Sequence, residues 1–481
     1  MRTFTLASTA TAAAAIAATS VSLIAAPPYL DLIATGTING LYQDFASHTA
    51  APLESGTPGN RLGGIGSGLA YLGGDWFLAL PDRGPNATEY NDCPGDRLDN
   101  TTSFIPRFHT MHLALAPADP GSALPFVLTP MLVDTTLLSS RSPLMYGAGC
   151  GVAGNGAPAL NRVDRRFYFS GRSDNFAAGK NSLNPANGRF DPESIRVSRD
   201  GASVYISDEY GPYVYEFDRQ SGERIRTYAL PAKFAVNLLS SHGDDEISVA
   251  NNPAGRIANK GMEALAITPN GRTLVGIMQS ALEQDGGDVK GQVVRIVTID
   301  VRTGATREYA YPTDAGTKTT ISDVVAINDT EFLVDERDSK GLGDDSAAAF
   351  KRLYKINLTG AKDVSGLTGK TALATAAVSK TLFLDIVHVL NVVHGVPVAD
   401  IPAKLEGIAF GQDVTLGGTT KHTLWVANDN DFLQVVPNAT HAGGTAQNPN
   451  QYFVFAFDDN DLPNFQPQQI RWEDERAHDD R

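Results

Sequence analysis

Four acids head four similar stretches of this chain. Glu193 opens PESIRVSRDGASVYISDEY, Glu263 opens GMEALAITPNGRTLVGIMQS, Asp323 opens SDVVAINDTEFLVDERD, and Glu406 opens LEGIAFG, which leads on to LWVANDND. Each acid precedes a short apolar run, a turn and a second apolar run that ends in polar residues. A carboxylate recurring at one place in a repeated β-unit predicts a ring of acids around a common axis. Such a ring is costly unless a positive centre fills it. Oxygen donors without a Cys or His cluster suit calcium rather than zinc, so a calcium cofactor is expected. The polar strand ends Asp208, Asp335, Asn428 and Asp429 are candidate further ligands. Glu209 and Glu336, at the same strand ends, are candidate general bases, because calcium acidifies water weakly and needs a carboxylate to take the proton.

Cations are interleaved with these acids. Arg83 follows Asp82, Arg172 precedes Ser173-Asp174, and Arg337 follows Asp335-Glu336. Lys260 lies shortly before Glu263, and Lys404 shortly before Glu406. Arg can hold two oxygens of a phosphate at once, so these five residues are candidate ligands for a small anionic ester. The same cations would equally balance the ring by internal ion pairs. Both readings remain open at the level of sequence.

Such a ring needs elements that repeat. Hairpin signals fall at Gly73-Gly74, Asp200-Gly201, Asn270-Gly271 and Asn328-Asp329, each between apolar runs. Counting the segment 165–175 as a unit of its own, the pattern recurs at about 60–70 residues. The expected fold is all-β: a β-propeller of about six four-stranded blades, forming one domain over residues 27–470. Residues 371–394, TALATAAVSKTLFLDIVHVLNVVH, break the β pattern and predict a short helical insertion ended by Gly395-Val396-Pro397. Residues 471–481 read as a charged, solvated tail.

Composition narrows the classes. Hydrophobic content of 42% supports a large core in a chain of 481 residues, and 46 Gly with 27 Pro imply many turns. A net charge of −15 without a basic stripe argues against nucleic acid. Residues 1–26 combine Met1-Arg2 with an Ala-rich apolar run and read as a signal peptide, which predicts a secreted or periplasmic protein without stable membrane insertion. In an exported protein Cys93 and Cys150 are expected to pair as a disulfide. A monomer is expected. No H-E-x-x-H stands in the chain. Gly149-Cys150-Gly151-Val152-Ala153-Gly154 matches a dinucleotide fingerprint only formally, because no helical pattern follows it.

The segments RLGGIGSGLAY, FLALPDRGPN, FDPESIRVSRDGASVYISDEYGPYVYEFD, NKGMEALAITPNGRTLVGIMQS, DERDS and KLEGIAF together resemble the phytase-like domain family, described as having esterase-like activity of phytase. The resemblance runs from about residue 60 to 460. It implies an exported β-propeller that hydrolyses phosphate or carboxylic esters. The strands headed by Glu also resemble calcium propellers of the paraoxonase and gluconolactonase type. That second likeness implies a calcium-dependent lactonase or arylesterase as an alternative. A propeller that binds a ligand without turnover is a third.

Overall fold

A computed structural model describes residues 30–86, 101–147, 156–176, 182–240, 246 and 248–470. The expected signal peptide, the charged tail and both cysteines lie outside the described residues.

The fold is an all-β propeller. The hairpins read from sequence become the first two strands of its blades. Each blade is an antiparallel meander whose first strand lies innermost. The first blade is Gly68–Gly73, Trp76–Leu80, Arg107–Pro117 and Phe126–Leu137. The second is Pro192–Val197, Ser203–Asp208, Tyr213–Asp218 and Arg224–Ala229. The third is Met262–Ile267, Thr273–Met278, Val293–Asp300 and Thr306–Pro312. The fourth is Thr320–Ala326, Glu331–Arg337, Lys351–Asn357 and Lys380–Asp385. The fifth takes Leu405–Phe410, Thr419–Asn428 and Asn450–Phe457 from the end of the chain and Asp31–Ile38 from its beginning. Pairing of Asp31–Ile38 with Asn450–Phe457 closes the ring. A closed ring leaves only short, protected sheet edges.

The blade count is five, not the six expected. The segment 165–175 contributes only Phe167–Tyr168, paired with Ser139–Ser140. Its aromatic residues serve packing instead: Phe169 joins Phe190, Tyr215 and Phe217 in the core between the first two blades. The expected helix over 371–394 also differs. Only Lys370–Ala374 and a turn at His388–Val393 are helical, and Lys380–Asp385 between them is the outer strand of the fourth blade. Lys351–Asn357 offers an open edge of N–H and C=O groups. TLFLD, rich in residues that fit a pleated surface, pairs with it, and sheet pairing overrides the helical period.

Blades pack through apolar faces, and their innermost strands approach so closely that small residues are required. A Cβ on Gly407, in the innermost strand of the fifth blade, would lie 3.0 Å from the Leu69 backbone nitrogen in that of the first. In the hairpin of the third blade, Gly271 has φ +70, a turn conformation that costs glycine nothing. Residues 458–470 then cross one end of the channel. Phe465 packs on Phe410 and Phe457, the Gln466 N–H donates to Ile327 (2.8 Å), and the Gln468 amide donates to Val197 (2.7 Å). The segment encloses a small apolar cavity of about 70 Å³ at that end.

One buried group off the channel sets an acid limit. His109 is buried in the first blade beside Arg107 and Asp44, its Nδ1 against the Thr135 hydroxyl at 3.1 Å. Burial is the main cause that pushes its pKa down to about 4. A depressed folded value contributes stability that is present above the unfolded value, about 6.5, and is lost as pH falls through the folded one. His109→Gln is therefore expected to remove a stability loss on the order of 3 kcal/mol between pH 6.5 and 4. Urea denaturation at several pH values measures it; equal slopes for variant and wild type would refute it.

Candidate functional site

Strand register explains which acids reach the channel mouth. The pairs Pro192–Asp208, Met262–Met278, Ile321–Glu336 and Leu405–Asn428 lie at one level in four blades. The next residues on the two strands are Glu193 with Glu209, Glu263 with Gln279, Ser322 with Arg337, and Glu406 with Asp429. Each inner strand is irregular at this point, which turns these side chains toward the axis. Asp82, just beyond the second strand of the first blade, joins them. The result is an open pocket of about 610 Å³ lined by Asp82, Glu193, Glu209, Glu263 and Glu406, with Arg83, Lys260, Arg337 and Lys404 among them.

Asp323 stands one residue out of register. Ser322 occupies the ring position in the fourth blade, and Asp323 lies at the level of Ser194 and Gly407. It is buried on the axis and ion-paired with Arg196 at 2.8 Å, with further bonds from the Ser194 hydroxyl (2.8 Å) and the Ile408 N–H (3.0 Å). It forms a septum in the channel, away from the pocket.

The other candidates divide in the same way. Asp208 accepts the Asp191 N–H (3.2 Å) and the Tyr210 N–H (3.0 Å), so it braces Asp191 rather than facing the pocket. Asn428 holds Gln451 and Pro449 of the neighbouring strand. Asp335 is buried between Arg337, Lys351, Asp323 and Glu406, and burial raises its pKa well above the ordinary range. Glu336 is spent on structure. It pairs with Lys380 and accepts from Tyr311 (2.8 Å), Thr319 (2.7 Å) and the Asp314 N–H (2.7 Å). Arg172 is buried against Asp174 and 3.7 Å from Glu54, off the pocket.

Four of the five expected cations line the pocket. Arg83 lies 2.9 Å from Asp191 and 3.9 Å from Glu209, and also donates to Asn259. Lys260 reaches Gln279 (3.0 Å) and Asp288 (3.6 Å). Arg337 pairs with Glu406, and Lys404 with Asp429 (2.7 Å) and Asp431. Lys290, Lys318 and Lys340, on loops of the third and fourth blades, complete the rim. Among the acids of the site, Asp82, Asp191 and Asp431 were not singled out as ligands from sequence. They sit in the turns that follow or precede the strands, where the repeat pattern carries no signal.

Among the described residues, two groups of three carboxylates lie close enough to hold an ion: Asp82, Asp429 and Asp431, and Asp191, Glu193 and Glu209. Burial is the first cause of raised pKa values at Asp82, Glu193 and Glu263, and repulsion from neighbouring carboxylates adds to it. Glu209 and Asp429 are each pushed up to about 7, chiefly by burial. Glu263 is 3% exposed, and its Oε2 has no hydrogen-bond partner among the described residues. Clustered carboxylate oxygens are the donor set that a hard divalent cation takes.

Comparison with known proteins places this geometry in context. A curated protein of Arthroderma benhamiae called an "Uncharacterized secreted protein" is 29% identical over 292 residues, 53% of this chain and 51% of its own. The chain thus spans about half the length of the curated relative it matches. Solved structures include a putative 6-phosphogluconolactonase of Bacteroides uniformis, 13% identical, covering 75% of this chain and 80% of that one with a TM-score of 0.29. A protein from Lactobacillus plantarum is 10% identical, with coverage of 81% and 87% and the same TM-score, 0.29. Residues 60–432, which carry all five inner strands and every pocket acid, match a family model, and the chain belongs to that family: phytase-like, described as "Esterase-like activity of phytase".

Proposed function

We propose that this protein is an exported hydrolase that cleaves an ester carrying an anionic group in the pocket at the channel mouth. One observation carries the reading: two buried acids without ion-pair partners among the described residues, Glu193 and Glu263, share a pocket with a lysine rim on the third and fourth blades, and the Glu263 Oε2 also lacks a hydrogen bond there. The acids suit proton transfer and cation binding, and the rim suits the substrate's anion. Family membership supports ester hydrolysis, and the Ala-rich N-terminus supports export.

Within this reading the chain's residues divide the work. Lys260, Lys290 and Arg337 orient a phosphate or carboxylate of the substrate. The free Oε2 of Glu263 takes a proton from the attacking water. The water's hydroxyl adds to the phosphoryl or acyl centre, the ester P–O or C–O bond breaks, and Glu263 returns the proton to the leaving oxygen. Glu336 is too fully bonded for that role. Calcium fits the acid side of the pocket by its donor chemistry; when bound it would polarise the ester oxygen and stabilise the charge that develops there.

The test is hydrolysis of p-nitrophenyl phosphate and p-nitrophenyl acetate with and without chelator. Chelation is expected to abolish turnover and calcium to restore it. Glu263→Gln is expected to lower kcat by about 10²–10⁴. Full activity in Glu263→Gln would overturn the assignment of the base. Ligand binding without turnover of either ester would replace the hydrolase by a binding propeller, the reading that the internal pairs Arg337–Glu406 and Lys404–Asp429 favour.

A further inference from the structure

The second strand of a blade brings one residue to the mouth beside the first strand, and the third blade differs from its neighbours in what stands there. The place holds Glu209 in the second blade, Arg337 in the fourth and Asp429 in the fifth. Each is charged, and each meets an opposite charge: Arg83 lies 3.9 Å from Glu209, Arg337 pairs with Glu406, and Lys404 lies 2.7 Å from Asp429. In the third blade the place holds Gln279, a neutral amide. Its backbone is tied on both sides. The N–H donates to the Gly261 carbonyl (2.8 Å), and its carbonyl accepts the Ile321 N–H of the fourth blade (3.1 Å). The side-chain oxygen accepts from the Lys260 ammonium at 3.0 Å. An ammonium only donates, so this contact fixes which end of the amide is oxygen and turns the NH₂ to an acceptor. Glu263, its neighbour across the strands, is that acceptor. All three side chains line the pocket.

The consequence is a carboxylate kept free beside a cation. Lys260 stands just before Glu263 in the chain, yet its ammonium goes to Gln279 and, at 3.6 Å, to Asp288. An arginine in place of Gln279 would pair with Glu263 as Arg337 pairs with Glu406, and a paired carboxylate is a weaker base. A second carboxylate there would repel Glu263. We infer that Gln279 is a positioning residue of the proposed hydrolysis: one end of its amide holds Lys260 for the substrate's anion, and the other steadies Glu263, so that the two are fixed to each other without pairing. The inference rests on the hydrolytic reading of the pocket, with Glu263 as its base.

The experiment is steady-state kinetics of the full-length protein on p-nitrophenyl phosphate and p-nitrophenyl acetate, with folding of each variant checked by circular dichroism. Gln279→Glu keeps an acceptor for Lys260 but has no N–H to give Glu263; it is expected to lower kcat by about 10²-fold with KM unchanged. Gln279→Met keeps the length and removes both bonds; it is expected to lower kcat as much and to raise KM as well. In the Glu263→Gln background, Gln279→Met is expected to cause no further loss of kcat, because both act through one base. Gln279→Glu replaces it in this cycle if Gln279→Met does not fold. A merely structural role would lower kcat by the same factor in both backgrounds and would not separate kcat from KM. Unchanged kcat in the Gln279 variants, or losses that multiply in full in the double variant, would overturn the inference and leave Glu263 standing as the base. Full activity in Glu263→Gln, or no turnover by the wild type, would overturn it together with the reading on which it rests.

Discussion

Replacing Arg196 by methionine is expected to destabilise the propeller by about 3–5 kcal/mol, a large fraction of the stability of a typical protein. The innermost strands of the blades have edges that face the axis, where backbone carbonyls lack ladder partners and water is scarce. Arg196 answers them. Its guanidinium donates to the carbonyls of Leu69 (2.7 Å), Ile195 (2.6 Å) and Val324 (2.9 Å) and to both oxygens of Asp323 (2.9 and 2.8 Å). Ser194, next to it, reaches Asp323 and the Leu265 carbonyl, and Asp323 accepts the Ile408 N–H. A single polar hub thus ties all five inner strands together. Methionine would leave the Asp323 carboxylate buried without its cation, which is what makes breaking a buried pair expensive. Adding Asp323→Leu is expected to recover part of the loss, because the unpaired charge goes while the orphaned carbonyls remain. Guanidinium denaturation of the single and double variants decides it. A change below about 1 kcal/mol in Arg196→Met would mean that the hub is dispensable.

That hub also marks the limit of what the sequence disclosed. Glu193, Glu263 and Glu406 announced the channel because they head strands with the same alternation, and the structure brings all three to one pocket. Asp323 matched them in pattern and missed by one residue, since the inner strands are irregular at the acid itself. Register is set by pairing across strands, and a single-residue slip sends a side chain elsewhere. The same blindness made Glu336 look like a free strand-end base, although Lys380 reaches it from a segment that read as helix. Asp82, Asp191 and Asp431 entered the site through turn geometry, for which the sequence offered composition but no period. The fold was more legible than the site because hairpin glycines and apolar alternation are local signals. The blade count depended on whether Phe167–Tyr168 had room to continue into a four-stranded sheet, a tertiary question.

The pocket acids set the second large effect. Stability of the calcium-free protein is expected to fall as pH rises from about 4 to about 7, opposite to the contribution of His109. Glu209 and Asp429 have folded values pushed up to about 7, mainly by burial, against unfolded values of about 4.3 and 3.9. A carboxyl with a raised folded pKa contributes stability that is fully present below its unfolded value and is lost as pH rises through the folded one. Each pKa unit corresponds to about 1.4 kcal/mol, so Glu209 alone weighs on the order of 3 kcal/mol across this window. The acids interact and titrate as a set, so their effects do not simply add. An ion that binds only the folded state reverses the trend, because it pays the electrostatic cost of keeping the site ionised. Calcium should therefore raise Tm strongly at pH 8 and little at pH 5. Glu209→Gln should be more stable than wild type at pH 8 without calcium, and should gain less when calcium is added. Melting curves over pH 4–9, with chelator and with calcium, measure both. A calcium-free wild type that grows steadily more stable toward pH 8 would show that the pocket's own cations already neutralise its acids, leaving no charge for an ion to answer.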